Sequence, residues 1–279
     1  MQRETEEKLA RSLTAETADL VPFLPYLLQD LWELGSNPRD MVKLIKKHMT
    51  PSRSTKVLDV ACGKGAISVQ IAHSLGVCVH GCDLLPDFIE YAREKAEECG
   101  VAHLCHFTQG DANEMTKFAA GYDLVIFGAA GDILGSPRET LQKLSGTILP
   151  GGYIIIDEAY LPEGTANSDV HYQNYDYLPR GEWLRLFEES GLVLLEELPA
   201  TEEYDYDSDN KAIAQRAGEL SAKHPEKRAL FEGYIASQLA ECEDLQGNIT
   251  AVTWMLKKPC GPISESAPCC CDKHCPSTT

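Results

Sequence analysis

The sequence predicts an α/β fold, a seven-stranded and mostly parallel β-sheet with helices on both faces. From Lys56 onward, short aliphatic runs alternate with amphipathic segments, a pattern typical of parallel sheets that are buried on both faces. The 279 residues are 43% hydrophobic and 8% aromatic. A chain of this size and composition can bury the core of one domain with some elaborations.

The strands and helices follow from local composition along the chain. Clusters of aliphatic and β-branched residues predict strands over 57–60, 77–82, 103–108, 122–127, 153–157, 192–195 and 249–256. Apolar residues at helical spacing predict helices over 64–75, 86–99, 137–144 and 181–190. Ser136, Pro137 and Glu139 have the pattern of a capping box with proline at the first helical position.

Three regions lie outside this alternation and define the expected domain organisation. Residues 1–52 form an N-terminal helical segment, with one helix predicted over 23–35 and another after Pro38. Residues 53–258 form the α/β domain. Within it, 161–180 and the helical insertion 199–247 interrupt the pattern as elements that either cover a substrate or serve only for packing. Residues 259–279 are a cysteine-rich tail that we expect to be disordered.

The charge of the chain restricts its partners. Acidic residues number 43 and basic residues 25, a formal net charge of -18 that repels phosphate backbones and anionic membranes. We therefore expect a small-molecule substrate and no nucleic-acid or membrane partner. No run approaches the roughly 20 apolar residues of a membrane span, and the first residues are charged, so the expected location is cytoplasmic. The sequence leaves the oligomeric state open.

A glycine bend follows the first strand in the stretch VLDVACGKG. Such a bend, leading into a helix, brings a ligand against backbone N–H groups. The spacing of Asp59, Cys62, Gly63 and Gly65 matches neither GxGxxG nor the phosphate loop GxxxxGK[ST]. Since the carboxylate of Asp59 would repel a phosphate and attract an ammonium group, a pyrophosphate is not the expected ligand.

Two further acids follow the next strands. Asp83 ends the second strand at about the distance from the bend that places a carboxylate on a ribose. Asp111 follows the third strand, where it can accept a hydrogen bond from an adenine amino group. An amino acid, a ribose and an adenine are the three parts of S-adenosylmethionine.

Five ordered stretches, VLDVACGKG, HGCDL, QGDA, YDLVIFGAAGDIL and LPGGYIIIDEAY, resemble the motifs of class I S-adenosylmethionine-dependent methyltransferases over residues 56–160. The resemblance implies a Rossmann-like fold, a methyl-transfer activity and S-adenosylmethionine as cofactor. It also implies that the ribose meets Asp83, the adenine meets Asp111, and Gly128 and Ala129 lie near the sulfonium. The full set of cofactor-binding residues that it implies is Asp59, Ala61, Cys62, Gly63, Gly65, Asp83, Leu84, Asp111, Ala112, Gly128 and Ala129.

The bend departs from the family pattern at Ala61, where many members have a glycine. An alanine adds one methyl group and should tighten the site rather than abolish it, provided that its φ is negative. The expected direction of the Lys64 side chain is toward solvent.

Methyl transfer from a sulfonium is an in-line displacement, so the protein mainly positions the nucleophile and excludes water. Candidates for a catalytic acid or base are Asp132 after the fourth strand and Asp157, Glu158 and Tyr160 after the fifth. His171 lies in the connection after them. A substrate-pocket wall is one interpretation of Tyr172, Tyr175, Tyr177, Tyr204 and Tyr206, and ordinary loop polarity explains these tyrosines and acids as well.

The tail carries thiol and imidazole groups of the kind that bind zinc, copper(I) or arsenite, namely Cys269, Cys270, Cys271, His274 and Cys275. Their spacing is not that of two matched CxxC pairs, and no metal site is expected in the core. Two alternative functions remain: an arsenite, metalloid or thiol methyltransferase, and a non-catalytic S-adenosylmethionine-binding or metal-sensing protein. An NAD-dependent enzyme is disfavoured by Asp59.

Overall fold

A computed structural model describes residues 3–200 and 206–260 of the protein. Seven strands form one sheet in the order β3-β2-β1-β4-β5-β7-β6, and β7 runs antiparallel to both of its neighbours. The predicted seven-stranded, mostly parallel α/β fold is thus confirmed. The strands are β1 Lys56–Val60, β2 Cys78–Asp83, β3 Cys105–Gln109, β4 Tyr122–Gly128, β5 Ile148–Tyr160, β6 Val193–Pro199 and β7 Thr250–Lys257.

The helices of the described residues cover both faces of the sheet and its carboxyl edge. Ser136 and Glu139 form the predicted capping box. The sequence did not predict the short helix that Asp111 caps by accepting a hydrogen bond from the Asn113 N–H. The helices are α1 Arg3–Ser12, α2 Leu24–Leu27, α3 Pro38–His48, α4 Ala66–Leu75, α5 Pro86–Glu98, α6 Ala112–Phe118, α7 Pro137–Thr147, α8 Arg180–Glu189, α9 Tyr206–Lys223 and α10 Arg228–Leu245.

The sheet separates two hydrophobic cores, because successive side chains of a strand point to opposite faces. Val57 and Ile126 belong to the core that includes residues of α3, α4 and α5. Leu58 and Phe127 belong to the core that includes residues of α7 and α8. The central strands β1 and β4 are therefore buried on both sides, and only their ends are left for a ligand.

A third hydrophobic core joins the N-terminal segment to the insertion between β6 and β7. Leu9 and Leu24 of the N-terminal segment pack in one cluster with Ile213 of α9 and Phe231 of α10. These parts of the chain are far apart in sequence, yet they form one helical layer. None of the helices within residues 3–200 and 206–260 combines the length and apolar composition that a membrane span requires.

The helix predicted over 23–35 is wrong beyond its first turn, since α2 ends at Leu27. Carbonyl groups of the residues that follow bind a side chain, and the Leu28 carbonyl also accepts the Leu31 N–H at 3.1 Å. The Lys64 ammonium group donates to the carbonyls of Leu28 at 2.8 Å, Gln29 at 3.2 Å and Leu31. In return, the Trp32 indole N–H donates to the Lys64 carbonyl at 3.2 Å.

The expectation that Lys64 points to solvent is also wrong, because the residue is only 3% exposed. Its ammonium group is a strong, charged donor to carbonyls that follow the end of a helix. It also lies 4.1 Å from the centre of the Tyr91 ring. Lys64 therefore fastens the N-terminal segment to the bend that follows β1.

Replacement of Lys64 by methionine should lower the free energy of unfolding by about 3 kcal/mol, since three carbonyls lose a charged donor. Urea unfolding measures this change. Limited proteolysis should also show faster cleavage within residues 13–35. The control is Lys56→Met, which changes an exposed lysine on β1. Equal stability of the two variants would contradict this role for Lys64.

Candidate active site

The bend between β1 and α4 is a tight turn with left-handed backbone at three positions. Ala61, Gly63 and Gly65 have φ angles of 58°, 53° and 74°. The bend is closed by the Cys62 N–H, which donates to the Cys82 carbonyl at the end of β2 at 2.9 Å. Its shape is thus determined by the neighbouring strand as well as by its own sequence.

The φ of Ala61 is positive, so the condition under which an alanine fits this bend without strain is not met. A left-handed conformation costs an L-residue about 1 to 2 kcal/mol, because Cβ approaches the following carbonyl oxygen. Ala129, just after β4, is also left-handed, with a φ of 47°. Two alanines at the carboxyl ends of adjacent strands thus hold strained backbone, a feature that concentrates at functional sites.

A cavity, here called the loop cavity, lies against this bend. Trp32 and Leu34 line it on the side of the N-terminal segment. Six of the residues implied as cofactor-binding also line it, namely Ala61, Cys62, Gly63, Asp83, Gly128 and Ala129. The structure therefore brings together the ends of β1, β2 and β4 around one cavity.

Asp83 presents a fixed carboxylate to the loop cavity. It accepts hydrogen bonds from the N–H of Gly63 at 2.9 Å and of Leu85 at 3.0 Å. It is 7% exposed, and burial raises the pKa of its carboxyl above the usual range. Since two backbone donors hold the group, its remaining lone pairs are available to a ligand hydroxyl.

The other implied residues do not line the loop cavity: Asp59, Gly65, Leu84, Asp111 and Ala112. Gly65 allows α4 to approach α5, since a Cβ there would lie 2.6 Å from the Ala92 Cβ. Asp59 is 1% exposed behind the bend, where its Oδ2 accepts a hydrogen bond from Ser68 at 2.6 Å. Its Oδ1 has no partner among the described residues, and burial raises the pKa of this carboxyl to about 7.

A second cavity, here called the cover cavity, lies at the end of β5. Its walls come from the N-terminal segment, from 161–180 and from α9 and α10, so both predicted cover elements contribute. Residues that line both cavities are Ser12, Leu13, Leu34 and Ala129. The two cavities therefore adjoin at the carboxyl end of β4.

The model of the family described as "Methyltransferase domain" matches residues 51–206, more than half of the chain. The chain belongs to the class I S-adenosylmethionine-dependent methyltransferases. This membership confirms the resemblance that the five motifs predicted. The matched residues include the bend after β1 and the ends of β2, β4 and β5.

Curated relatives and solved structures are similar over different lengths. The tRNA 5-carboxymethoxyuridine methyltransferase of Escherichia coli K12 is 29% identical over 127 residues, 45% of this chain and 48% of its own. The aklanonic acid methyltransferase DauC of Streptomyces sp. strain C5 is 31% identical over 117 residues, 41% of this chain and 53% of its own. The chain thus spans about half the length of the curated relatives it matches.

A crystal structure of a methyltransferase from Thiobacillus denitrificans in complex with S-adenosyl-L-homocysteine has the same fold. It superposes with a TM-score of 0.65 at 24% identity, covering 84% of this chain and 97% of that one.

Two neighbouring acids at the end of β5 face the cover cavity of this methyltransferase. Burial raises the pKa of Asp157 and of Glu158 to about 7. The Tyr175 hydroxyl donates to Glu158 Oε2 at 2.9 Å, and the Ala159 N–H donates to Oε1. Glu158 is therefore held in place while part of its side chain faces the cavity.

The other predicted catalytic candidates lie outside both cavities. Asp132 accepts a hydrogen bond from Arg11 at 2.7 Å. The Tyr160 ring stacks on Trp254 with its centre 6.1 Å away. The His171 ring lies 2.9 Å from the buried Asp244. The structure therefore brings only Asp157 and Glu158 of the predicted set to a cavity.

Sequence reasoning missed residues of α10 in the cover cavity. Tyr234, Gln238, Glu241 and Leu245 lie four, three and four positions apart, so they share one helix face and line the cavity. In the sequence, this helical spacing of an aromatic residue, an acid and an apolar residue could have indicated a cavity-facing helix face. Burial raises the pKa of Glu241, which accepts a hydrogen bond from Thr14.

Of the tyrosines and tail cysteines that the sequence singled out, the structure places most of the tyrosines in a cavity wall and does not describe the cysteines. Tyr172, Tyr175, Tyr177 and Tyr206 line the cover cavity, whereas Tyr204 lies outside the described residues. The tail residues Cys269, Cys270, Cys271, His274 and Cys275 also lie outside them. Within residues 3–200 and 206–260, there is no group of three or more His, Cys, Asp or Glu side chains that could hold a metal ion.

Replacement of Ala61 by glycine should raise the free energy of unfolding by about 0.5 to 1 kcal/mol, because glycine adopts a positive φ without strain. Thermal or urea unfolding measures the change. Ala66→Gly, at the start of α4, is the matched control and should lower stability by a similar amount. A destabilised Ala61→Gly protein would show that the strain is not relieved.

The stability of the ligand-free protein should fall as pH rises from 5 to 7. Because the folded-state pKa of Asp157 is raised to about 7, its contribution is fully present below its usual value of 3.8 and is lost as pH rises through 7. The Asp157→Asn variant should have a shallower slope, by up to about 1 kcal/mol per pH unit. Urea unfolding at several pH values tests this, with the exposed Asp176→Asn as control. Parallel slopes for wild type and Asp157→Asn would contradict the prediction.

Proposed function

We propose that this protein transfers a methyl group from S-adenosylmethionine to a small-molecule acceptor. The loop cavity would hold the cofactor and the cover cavity would hold the acceptor. The observation that carries this proposal is the contact between the two cavities at Ala129, with walls shared by Ser12, Leu13 and Leu34. An acceptor atom and a cofactor methyl group can meet only where such cavities adjoin.

The residues around the loop cavity fit this cofactor. The cavity lies at the carboxyl ends of β1, β2 and β4, where open α/β sheets bind ligands. Asp83 would accept hydrogen bonds from the ribose hydroxyls, and the bend at Gly63 allows close approach to the backbone. Asp59 lies behind the bend, and a cationic ligand in the cavity would favour the ionised form of this buried carboxyl, whose pKa burial raises. When bound, S-adenosylmethionine supplies a methyl carbon on a positively charged sulfur.

The protein itself would contribute position, exclusion of water and a proton acceptor. The N-terminal segment and the insertion contribute walls of the cover cavity at the end of β5. Glu158 has a raised pKa near neutrality and a fixed orientation, as suits a general base. Asp157 is the second candidate, while Asp132 and Tyr160 have no contact with either cavity that would support a catalytic role.

Charge and shape support a small molecule as acceptor. The curated relatives act, by their names, on a tRNA nucleoside and on aklanonic acid. A net charge of -18 and a covered cavity favour the small molecule over RNA. We also propose a cytoplasmic location, since Cys62, Cys78, Cys82, Cys99, Cys105 and Cys242 are reduced thiols.

The direct test follows a labelled methyl group from S-adenosylmethionine into a panel of small-molecule nucleophiles that includes thiols and arsenite. Transfer to any organic acceptor supports the proposal. Binding of S-adenosylhomocysteine without transfer to any acceptor would favour a non-catalytic binding protein instead. Transfer to arsenite alone would favour the metalloid alternative.

The Asp83→Asn substitution should weaken S-adenosylhomocysteine binding by about 1.5 to 3 kcal/mol, roughly ten- to a hundredfold in Kd, because a charged acceptor is lost. Isothermal titration calorimetry measures this change. Asp87→Asn alters a nearby exposed carboxylate in the first turn of α5 and should leave the Kd unchanged. The same Kd for Asp83→Asn and wild type would exclude Asp83 as the ribose-binding residue.

A further inference from the structure

We infer that the methyl acceptor is an amine, bound in the cover cavity as a cation between buried carboxyl groups and tyrosine rings. The inference rests on the proposed function and specifies the substrate class of the same site. Three independent features of the cavity support it: its charge, its aromatic wall and an unpartnered hydroxyl group.

The ionisable side chains that line the cover cavity are mostly acidic. Its acidic lining residues are Glu33, Asp157, Glu158, Asp209 and Glu241. Among the described residues that line it, Arg11 is the only basic side chain, and its guanidinium group is already bound to Asp132 at 2.7 Å. A bound cation would therefore stabilise the ionised forms of Asp157 and Glu158, which burial otherwise disfavours.

The wall also contains five tyrosines: Tyr172, Tyr175, Tyr177, Tyr206 and Tyr234. The rings of Tyr175 and Tyr177 meet edge to face, with centres 4.8 Å apart and planes at 70°. Rings at steep angles present π faces in different directions, an arrangement that binds alkylated ammonium groups by cation–π attraction. The product of amine methylation is such a group.

The hydroxyl of Tyr234 is a separate indication of a ligand. Tyr234 is 1% exposed and lines the cavity, yet its hydroxyl has no hydrogen-bond partner among the described residues. Buried polar groups are normally paired, and an unpaired one costs free energy. Its place in the wall makes it available to a second polar group on the ligand.

Other acceptor classes fit this wall less well. A carboxylate or phosphate would add negative charge beside Asp157 and Glu158, which already share a desolvated environment. A neutral alcohol or phenol would hydrogen-bond to the wall without compensating its charge. A protonated amine both hydrogen-bonds to the wall and compensates its charge, since an ammonium group donates hydrogen bonds and is positively charged.

An amine that binds as a cation must lose a proton before it reacts. The ammonium N–H proton passes to the Glu158 carboxylate, and this leaves a lone pair on the neutral nitrogen. The lone pair then forms the bond to the methyl carbon, while the carbon–sulfur bond breaks and its electron pair stays on sulfur. The proton on Glu158 is released to solvent when the product leaves.

The first experiment measures binding and does not depend on turnover. Calorimetry of the protein saturated with S-adenosylhomocysteine compares an amine, an alcohol and a carboxylate on the same skeleton, for phenylethyl, indolylethyl and butyl groups. We expect the amine to bind at least tenfold more tightly than the matched alcohol, and the carboxylate not to bind. Alcohol binding as tight as that of the amine, or no amine binding at all, would overturn the inference.

The second experiment tests the carboxyl groups. Glu158→Gln and Glu241→Gln should each lower the amine affinity about tenfold and leave S-adenosylhomocysteine affinity unchanged. The control is Glu163→Gln, which changes an exposed acid in the same covering connection. Unchanged amine affinity in both cavity variants would also overturn the inference.

Methyl transfer separates this inference from the proposed function. Transfer to an alcohol, a phenol or a thiol but to no amine would overturn the inference and leave the proposed function intact. Transfer to an amine, abolished or slowed in Glu158→Gln with normal cofactor binding, would support both. Selective amine binding without transfer to any acceptor would support the assigned ligand class and overturn the proposed function.

Discussion

The contact between Lys64 and three carbonyls of the N-terminal segment is the constraint on which the rest of the site depends. Lys64 belongs to the bend that borders the loop cavity, and the carbonyls belong to the chain that covers it. The same contact ends α2 and turns the chain so that Trp32 and Leu34 reach the cavity wall. One buried ammonium group thus links the N-terminal segment, which covers the site, to the bend after β1.

Strained backbone at the ends of β1 and β4 is the second organising feature. Ala61 and Ala129 both hold a positive φ, and both line the loop cavity. Alanine is the smallest residue with a Cβ. At each position it therefore takes little space in the cavity, while its positive φ costs a modest amount of stability. A larger side chain at Ala129 would separate the two cavities that adjoin there.

The sequence predicted the sheet because each strand is encoded locally, by aliphatic runs and the turns between them. It also predicted which acids stand at the carboxyl ends, so Asp83, Asp157 and Glu158 could be named in advance. It could not predict the sign of φ at Ala61, which depends on the hydrogen bond from Cys62 to the adjacent strand. The partners of Lys64 lie more than thirty residues earlier in the chain, and those of Glu241 come from distant elements, so neither environment has a local signal.

Trp32 places a fluorescent side chain beside the loop cavity. The chain has three tryptophans, and Trp183 and Trp254 are packed together in the core beside the sheet, with ring centres 5.2 Å apart. Trp32 alone of these indoles borders the loop cavity. Its fluorescence is therefore expected to change when a ligand fills that cavity, whereas Trp183 and Trp254 do not line it.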